Sequence, residues 1–246
     1  MRYAVAILSV LMVCFGAGAQ DGFYGTFLLG QKTVDFEPLN QLLRDKLGAE
    51  GDLFPNKNLT LGGQGHVIIN NSFVLGGKAF GISHERVIHN DDNRRVRITS
   101  GMGVGSFGYN FIPENRAGVR LYPKLGLGVS SFFFQSKKPL PPERRVFEDL
   151  LVSLDDEIIT LGKLGMIVDL GVGLDIYKPF RNFFVLLPGL DFGLLLHAQA
   201  GYSFVPGDIK WRRDFDMGGQ DQVEGGPDLK FDGFYFNFGL GFGFSN

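Results

Sequence analysis

The end of the chain alternates strictly between large apolar and small or polar side chains. In the last predicted strand the odd positions hold Tyr235, Asn237 and three glycines. Neighbouring side chains of a strand point to opposite faces, so one face is wholly apolar and the other is small or polar. Glycine on the second face favours a narrow interior over a surface in water. The apolar face consists of Phe234, Phe236, Phe238, Leu240, Phe242 and Phe244.

The same alternation recurs in residues 119–133, 164–176 and 190–204. These segments exceed the five or six residues that are typical of soluble strands. They match the alternating unit of about ten residues found in outer-membrane barrels. Four weaker strands are predicted upstream, where glycine blurs the pattern, and a switch of face near Ser106 predicts a β-bulge. Their ranges are Phe23–Gly30, Asn58–Ile69, Ser72–Ser83 and Val96–Asn110.

The predicted connections between these eight strands alternate between long and short. The long ones cover residues 31–57, 84–95, 134–159 and 205–230, and the short ones lie near 70–71, 112–116 and 178–182. Outer-membrane barrels have short periplasmic turns and longer extracellular loops. The sequence therefore predicts an all-β fold: a closed antiparallel transmembrane β-barrel of about eight strands, with ten as the alternative. An even number of strands places both termini on the periplasmic side.

Two of the long loops carry apolar residues at helical spacing, which predicts short helices. The first group is Phe36, Leu39, Leu42, Leu43 and Leu47. The second, Phe147, Leu150, Leu151 and Leu154, follows Pro141-Pro142, which suits a helix start. Either helix would pack against the barrel rim or form a cap that docks a partner.

The first 19 residues have the features of a secretory signal peptide. A positive start at Arg2 precedes an apolar run and the small residues Ala17-Gly18-Ala19. Past this segment no apolar run approaches the roughly 18–20 residues of a spanning helix. A membrane protein with this sequence must then be a barrel, because only helices and closed barrels satisfy every backbone group in lipid. We expect a signal peptide at 1–19 and one barrel domain at 20–246.

Composition narrows the functional classes. The chain has 36 Gly and 25 Phe but one Trp, which suits curved sheets, whereas glycine weakens helices by about 1 kcal/mol per site. The formal charge is −2, so nothing indicates nucleic acid as a partner. Cys14 is the only cysteine; if the signal is cut after Ala19, the mature chain has none, which would exclude disulfides and thiolate chemistry.

The cleavable signal, the strands rich in glycine and aromatics, and the closing GFYFNFGLGFGFSN resemble small outer-membrane β-barrel proteins. This class includes the OmpA-type transmembrane domain and the porin-like barrels of Bacteroidota. The resemblance implies a location in the outer membrane of a Gram-negative bacterium, lipid as a partner, and insertion by the barrel-assembly machinery. That machinery reads the last strand with its terminal aromatic, here Phe244, although Ser245 and Asn246 follow it.

The face opposite each apolar row supplies the candidate site. Because an eight-stranded barrel is just wide enough for side chains to fill it, the charges of this face must pair. We interpret the set as a salt-bridged plug, with a narrow ion path as the alternative. The predicted lumen residues are Gln64, His66, Lys78, Arg97, Arg120, Tyr122, Lys124, Lys163, Asp169, Asp175, Asp191, His197, Gln199 and Asn237.

Three further groups could carry chemistry, and each has a plainer explanation. The segment SHERVIHNDDNRR places His84, Glu85 and His89 in a loop that weakly echoes proteases of the omptin type, but a solvated loop explains it. His197 and Ser203 share a predicted face with an acid, yet six residues at about 3.3 Å each is too far for a hydrogen bond. Trp211 is interpreted as part of an exposed loop.

The leading functional hypothesis is an integral barrel with a structural or interaction role, without enzymatic activity, and possibly a subunit of a larger outer-membrane complex. A narrow pore for small solutes is the alternative. An outer-membrane protease or lipid-modifying enzyme comes third. No catalytic, metal or cofactor residues are assigned.

Overall fold

The computed structural model describes residues 20–51, 53–88, 94–112, 118–137, 158–180, 191–208, 210–213, 222–223 and 225–245. The predicted signal peptide and the predicted second helix lie outside these residues. Within them, the chain forms ten strands and one helix. In order they are β1 (Gln20–Thr33), α1 (Glu37–Leu47), β2 (Lys57–Ile69), β3 (Phe73–Ile88), β4 (Arg94–Tyr109), β5 (Val119–Lys137), β6 (Ile158–Phe180), β7 (Asp191–Phe204), β8 (Trp211–Arg213), β9 (Gln222–Val223) and β10 (Gly233–Ser245).

Eight long strands close into an antiparallel ring, with β1 pairing to both β2 and β10. The short β8 and β9 extend the sheet at the end of β6. Following the paired residues around the ring from Gly22 returns to β1 at Lys32, ten residues further along. This stagger tilts the strands against the barrel axis. The predicted closed barrel is confirmed, with eight strands in the ring.

The apolar rows face outward. Phe234 is 70% exposed and Phe238 is 58% exposed, and Phe244 is half-buried against Phe192 on the same outer wall. The rows of β5, β6 and β7 likewise leave leucine, valine and methionine side chains exposed. Continuous apolar surface of this extent suits lipid hydrocarbon, and the inward face of each strand is correspondingly buried.

The two ends of the barrel differ. The turn end carries Gln20, Ser245 and the connections after β2, β4 and β6; the loop end carries the remaining connections. The tightest connection at the turn end is an asparagine turn, in which Ser72 N donates to Ile69 O at 3.2 Å. Asn70 and Asn71 both have positive φ, as a type I′ turn requires, and asparagine tolerates that conformation.

The first predicted helix is confirmed as α1. Asp35 accepts a hydrogen bond from Glu37 N, a proline lies in the first turn, and Gly48 ends the helix with φ 63°. Leu39, Leu43 and Leu47 form its buried face. Among the described helices, none has the length and apolar character to cross a membrane.

Two local predictions are wrong. β4 keeps one uninterrupted register with β3 and β5, so there is no bulge near Ser106. The connections also do not alternate regularly in length, because the strands extend further at the loop end than predicted. Residues 89–93 are all that separates β3 from β4, whereas residues 181–190 separate β6 from β7 at the turn end.

Candidate functional site in the barrel lumen

Asp175 is the centre of the polar lumen nearest the turn end. Its Oδ1 lies 2.5 Å from His197 Nδ1, and its Oδ2 lies 3.0 Å from His66 Nε2. The Tyr122 hydroxyl donates to Oδ2 at 3.2 Å. All four side chains are buried. The strand register explains the cluster. His197 on β7 pairs directly with Asp175 on β6. Tyr122 on β5 pairs with Gly173 on β6, which has no side chain to block it.

Asp169 forms the second carboxylate cluster, nearer the loop end. Its Oδ2 lies 2.8 Å from Lys78 Nζ and accepts a hydrogen bond from the Tyr235 hydroxyl at 3.1 Å. The same ammonium lies 3.8 Å from the centroid of the Tyr235 ring, which adds a cation–π contact. Asp169 Oδ1 has no hydrogen-bond partner among the described residues.

Lys124 is the centre of a third group of polar side chains, which adjoins the Asp175 cluster. Its ammonium donates to Gln199 Oε1 and lies 3.4 Å from Gln64 Oε1. Gln64 Nε2 is in turn 3.2 Å from His66 Nδ1. The described residues give Lys124 no ion pair, so amide oxygens alone solvate this buried cation. This group joins the Asp175 cluster through Gln64 and His66, while Asp169, Lys78 and Tyr235 form a neighbouring cluster. We call these side chains together the polar network; Arg120 and Asp191 are its half-buried neighbours at the turn end.

Sequence reasoning missed Lys32, which is fully buried. Its ammonium donates to Ser203 Oγ and to Gly233 O at 3.3 Å, and it lies 4.7 Å from the Phe231 ring centroid. The predicted β1 ends at Gly30, three residues before its observed end at Thr33. Extending its period of two would have placed Lys32 on the inner face with Tyr24 and Gly30.

Asn237 shows why glycine is needed on this face. Gly30 pairs with Thr60 on one side and with Asn237 on the other. Thr60 Oγ1 donates to Asn237 Oδ1 at 3.0 Å across the glycine. A Cβ on Gly30 would lie 2.0 Å from that oxygen, so a side chain there would break the bond.

Arg97 does not belong to the lumen. Because β4 has no bulge, its even positions such as Val96 and Ile98 face inward throughout, and Arg97 is exposed on the outer wall beside Glu85. The other predicted lumen residues lie on the inner face. Lys163 is among them, but its ammonium is at the loop end, 3.1 Å from Asp228 Oδ1.

The loop-end half of the interior is apolar. We call it the apolar plug: loop side chains packed against the inner faces of β3, β4 and β5. The loops contribute Val34, Phe36, Leu39, Leu43, Phe54, Trp211, Leu229 and Phe231, and the strands contribute Phe80, Ile82, Val96, Ile98, Phe132 and Phe134. None of these side chains is more than 5% exposed.

Two polar contacts hold the plug segments in shape. The Asn40 amide donates to Phe54 O at 2.8 Å and accepts from Phe54 N at 3.0 Å, which joins α1 to the segment after it. Trp211 Nε1 donates to Pro227 O at 2.8 Å. Trp211 is 2% exposed, so its interpretation as an exposed loop residue is wrong.

The side chains considered for catalysis lie in separate places. The Asp175–His197 pair lies in the filled interior, and Ser203 contacts Lys32. Nearer the loop end, His84 Nε2 lies 2.6 Å from the Asn58 amide oxygen, and residues 89–93 of the predicted loop cluster lie outside the described part. In the part of the chain that the structure describes, no group of three His, Asp or Glu side chains is arranged to hold a metal ion, although Asp175 contacts both His66 and His197.

No protein-family model matches the sequence, and a comparison with curated proteins finds no match. Solved structures of similar fold exist. Ail, the attachment invasion locus protein of Yersinia pestis, aligns over 91% of this chain and 97% of its own, with 10% identity and a TM-score of 0.46. OprG of Pseudomonas aeruginosa aligns over 93% and 97%, with 11% identity and a TM-score of 0.35.

The outer membrane protease OmpT of Escherichia coli aligns over 92% of this chain and 97% of its own, with 9% identity and a TM-score of 0.38. These scores are low, so the fold assignment rests on the closed ring and its apolar outer wall. The chain is a small bacterial outer-membrane β-barrel, since closed barrels with such a wall are built to cross that membrane. An origin in Bacteroidota stays a prediction.

Proposed function

We propose that this protein is a sealed outer-membrane barrel with a structural or interaction role, which acts through its outer surfaces rather than through a channel. It would reach the membrane through a cleaved signal peptide and the barrel-assembly machinery, and a larger membrane complex is a possible setting. The observation that carries the proposal is that an apolar plug lies on a buried polar network within one lumen.

The apolar plug opposes ion passage. An ion that travels from the turn end meets the buried polar network and Lys32, and then Phe231, Phe36 and Phe54, all with no exposed surface. Stripping an ion of water without replacing its hydrogen bonds is very costly, so the closed plug would block conduction. The polar network below supplies no free carboxylate row along which cations would pass.

The buried position of Asp175 also speaks against an enzyme. A general base must reach a proton of the substrate within about 2.6–3.2 Å or through one water. Here His197 contacts Asp175 within the buried polar network, below the plug. The hydroxyl that contacts the same carboxylate belongs to Tyr122. This supports a non-enzymatic role.

Conductance in planar bilayers tests the proposal. We expect purified, heat-modifiable protein to insert without steady single-channel steps. The matched variant Phe231→Ala keeps the side chains around Asp169 and Asp175, thins the plug and removes one cation–π contact of Lys32. It therefore shows whether a silent wild type is silent because of the plug. Steady steps from the wild-type protein would contradict the sealed barrel and favour the narrow ion path.

A further inference from the structure

The outer wall is uneven. At mid-height on β2, β3 and β4 it carries almost no side chains, whereas the paired rows of β5 and β6 carry exposed Leu127, Val129 and Met166. A Cβ on Gly103 would meet nothing within 4 Å, so the glycine is not needed for packing. The small residues of this area are Gly63, Gly65, Gly77, Ala79, Gly81, Gly101, Gly103 and Gly105.

The missing side chains leave a groove in the wall with a volume of about 390 Å³. Its lining includes Ala79, Gly101, Gly103, Val129, Ser131 and Leu164. Beyond the groove, toward the turn end, the wall carries an aromatic step, in which the rings of Phe73 and Phe107 are 5.7 Å apart and those of Phe73 and Tyr109 are 5.6 Å apart.

Toward the loop end the wall becomes polar and then basic. The hydroxyls of Ser83 and Thr99 lie 3.4 Å apart directly above the groove. The next rows carry Arg97 and Arg95, both exposed and both pointing outward. Among the described residues Glu85 is the acidic neighbour; it lies 3.9 Å from Arg95, so two arginines face one carboxylate there.

The arginines lie at the level of lipid headgroups. The row of Glu85 and Arg97 is twelve residues along the strands from the row of Phe73 and Tyr109. At about 3.3 Å per residue and a tilt of about 40°, this separation is roughly 30 Å along the membrane normal. A barrel's apolar band is about 25 Å tall, so the aromatic step marks one membrane interface and the arginines the other.

We infer that this face binds one phosphorylated glycolipid of the outer leaflet, of the lipid A type. Arg95 and Arg97 contact a phosphate, because guanidinium groups bind phosphate with paired hydrogen bonds. An acyl chain lies on the glycine floor below, between Val129 and the aromatic step. Along the membrane normal, the order of apolar floor, hydroxyl row and arginines matches the order of groups in such a lipid. For this reason we infer a lipid rather than a protein partner.

Native mass spectrometry of the detergent-solubilised protein tests this site. The probes are bis-phosphorylated lipid A, monophosphorylated lipid A and phosphatidylethanolamine. We expect the wild type to prefer the bis-phosphorylated form. Arg95→Gln combined with Arg97→Gln should weaken its binding by about tenfold, since two charge-assisted contacts are lost. Lys178→Gln removes an exposed outward cation at the turn end and should leave binding unchanged.

A second pair of variants tests the groove itself. Gly103→Leu fills the floor and should weaken binding of the bis-phosphorylated lipid severalfold, without affecting heat-modifiable mobility. Gly25→Leu is the matched control, because Gly25 also has open space around its Cβ position but lies on β1, away from the groove. Equal binding of all three lipids, unchanged binding in the arginine variant, equal losses in the two leucine variants, or a lipid-independent dimer would each overturn the inference. Conductance is a separate measurement, so this result does not depend on the barrel being sealed.

Discussion

The two halves of the barrel interior are filled from different parts of the chain. Toward the turn end, strand side chains meet across the ring. Asp169 contacts Lys78 and Tyr235. Asp175 contacts two histidines and Tyr122. Toward the loop end, the connections fold inward and deliver α1 and Phe231 onto the inner faces of β3 to β5. One half depends on exact pairing of polar groups, and the other depends on apolar volume.

This difference predicts two kinds of weakness. Removing one member of a buried ion pair leaves an uncompensated charge, which lowers the free energy of unfolding by about 3–5 kcal/mol. Because both members lie on strands of the ring, the ring itself is destabilised. Removing apolar volume from the plug leaves a cavity between segments that are not part of the ring. We therefore expect polar-half variants to destabilise the whole barrel and plug variants to loosen mainly the loop end.

The largest effect should come from Asp169→Asn. It leaves the Lys78 ammonium buried beside Tyr235 without a carboxylate. We expect the free energy of unfolding to fall by about 3–5 kcal/mol. Urea unfolding in lipid vesicles, followed by heat-modifiable mobility on gels, measures this change.

The control for this variant also removes the positive charge of Lys78. In Lys78→Met combined with Asp169→Asn the pair is neutral, and we expect at least half of the lost stability to return, because replacing both partners of a buried pair is far less costly than breaking it. A loss within about 1 kcal/mol for Asp169→Asn alone would show that water, rather than the carboxylate, compensates Lys78.

Leu43→Ala should have the next largest effect. Leu43 is fully buried on α1 within the plug, and truncation of a buried leucine costs about 2–5 kcal/mol. Because α1 lies outside the ring, we expect faster amide exchange and faster proteolysis in residues 34–56, while the urea midpoint of the ring changes little. Gln41→Ala on the exposed face of the same helix is the control. A coordinated loss of protection in the plug and in β3 to β5 would refute the separation of the two halves.

The period of two was enough to predict the ring. It located all eight long strands and assigned the correct outward faces to β5, β6, β7 and β10, because lipid on one side and a narrow lumen on the other impose strict alternation. It failed on β4, where Val96 and Ile98 are apolar and face inward, and Phe107 is apolar and faces outward. The plug makes the inner face of β4 apolar at the loop end, and lipid makes its outer face apolar at the turn end. The apolar positions therefore change from even to odd along the strand, which predicted a bulge and assigned Arg97 to the wrong face.

The plug could not be predicted in the same way. Helical spacing identified α1, but nothing in that spacing showed whether the helix covers the barrel or fills it. Trp211, Leu229 and Phe231 lie in a connection with no clear periodicity, and their burial depends on contacts far along the chain. Lys32 was missed for a local reason, because the glycine at position 30 obscured the alternation at the end of β1.

The smallest effect concerns the rim, where Asp228 holds the segment that delivers Phe231 into the plug. Its Oδ1 lies 3.1 Å from Lys163 Nζ and its Oδ2 lies 3.4 Å from Lys230 Nζ. Partial burial raises the pKa of this carboxyl, but the hydrogen bond and charge of Lys163, together with Lys230, outweigh burial and lower it overall. A lowered carboxyl pKa means that the contact stabilises the folded rim above the ordinary aspartate range, and that this stabilisation is lost as pH falls through the folded pKa.

Asp228→Asn should therefore loosen the rim at neutral pH by less than about 1 kcal/mol, as expected for an exposed ion pair. Trp211 is the only tryptophan and lies beside Lys163, so acrylamide quenching of its fluorescence reports the change directly. We expect the variant to be quenched more than the wild type at pH 7 and equally at low pH, where the wild-type carboxyl is protonated. Asp208→Asn, which removes a single 3.5 Å contact to Lys230, should change quenching less. A difference between Asp228→Asn and the wild type that stays constant across this pH range would mean that the shape of the side chain, and not its charge, fixes the rim.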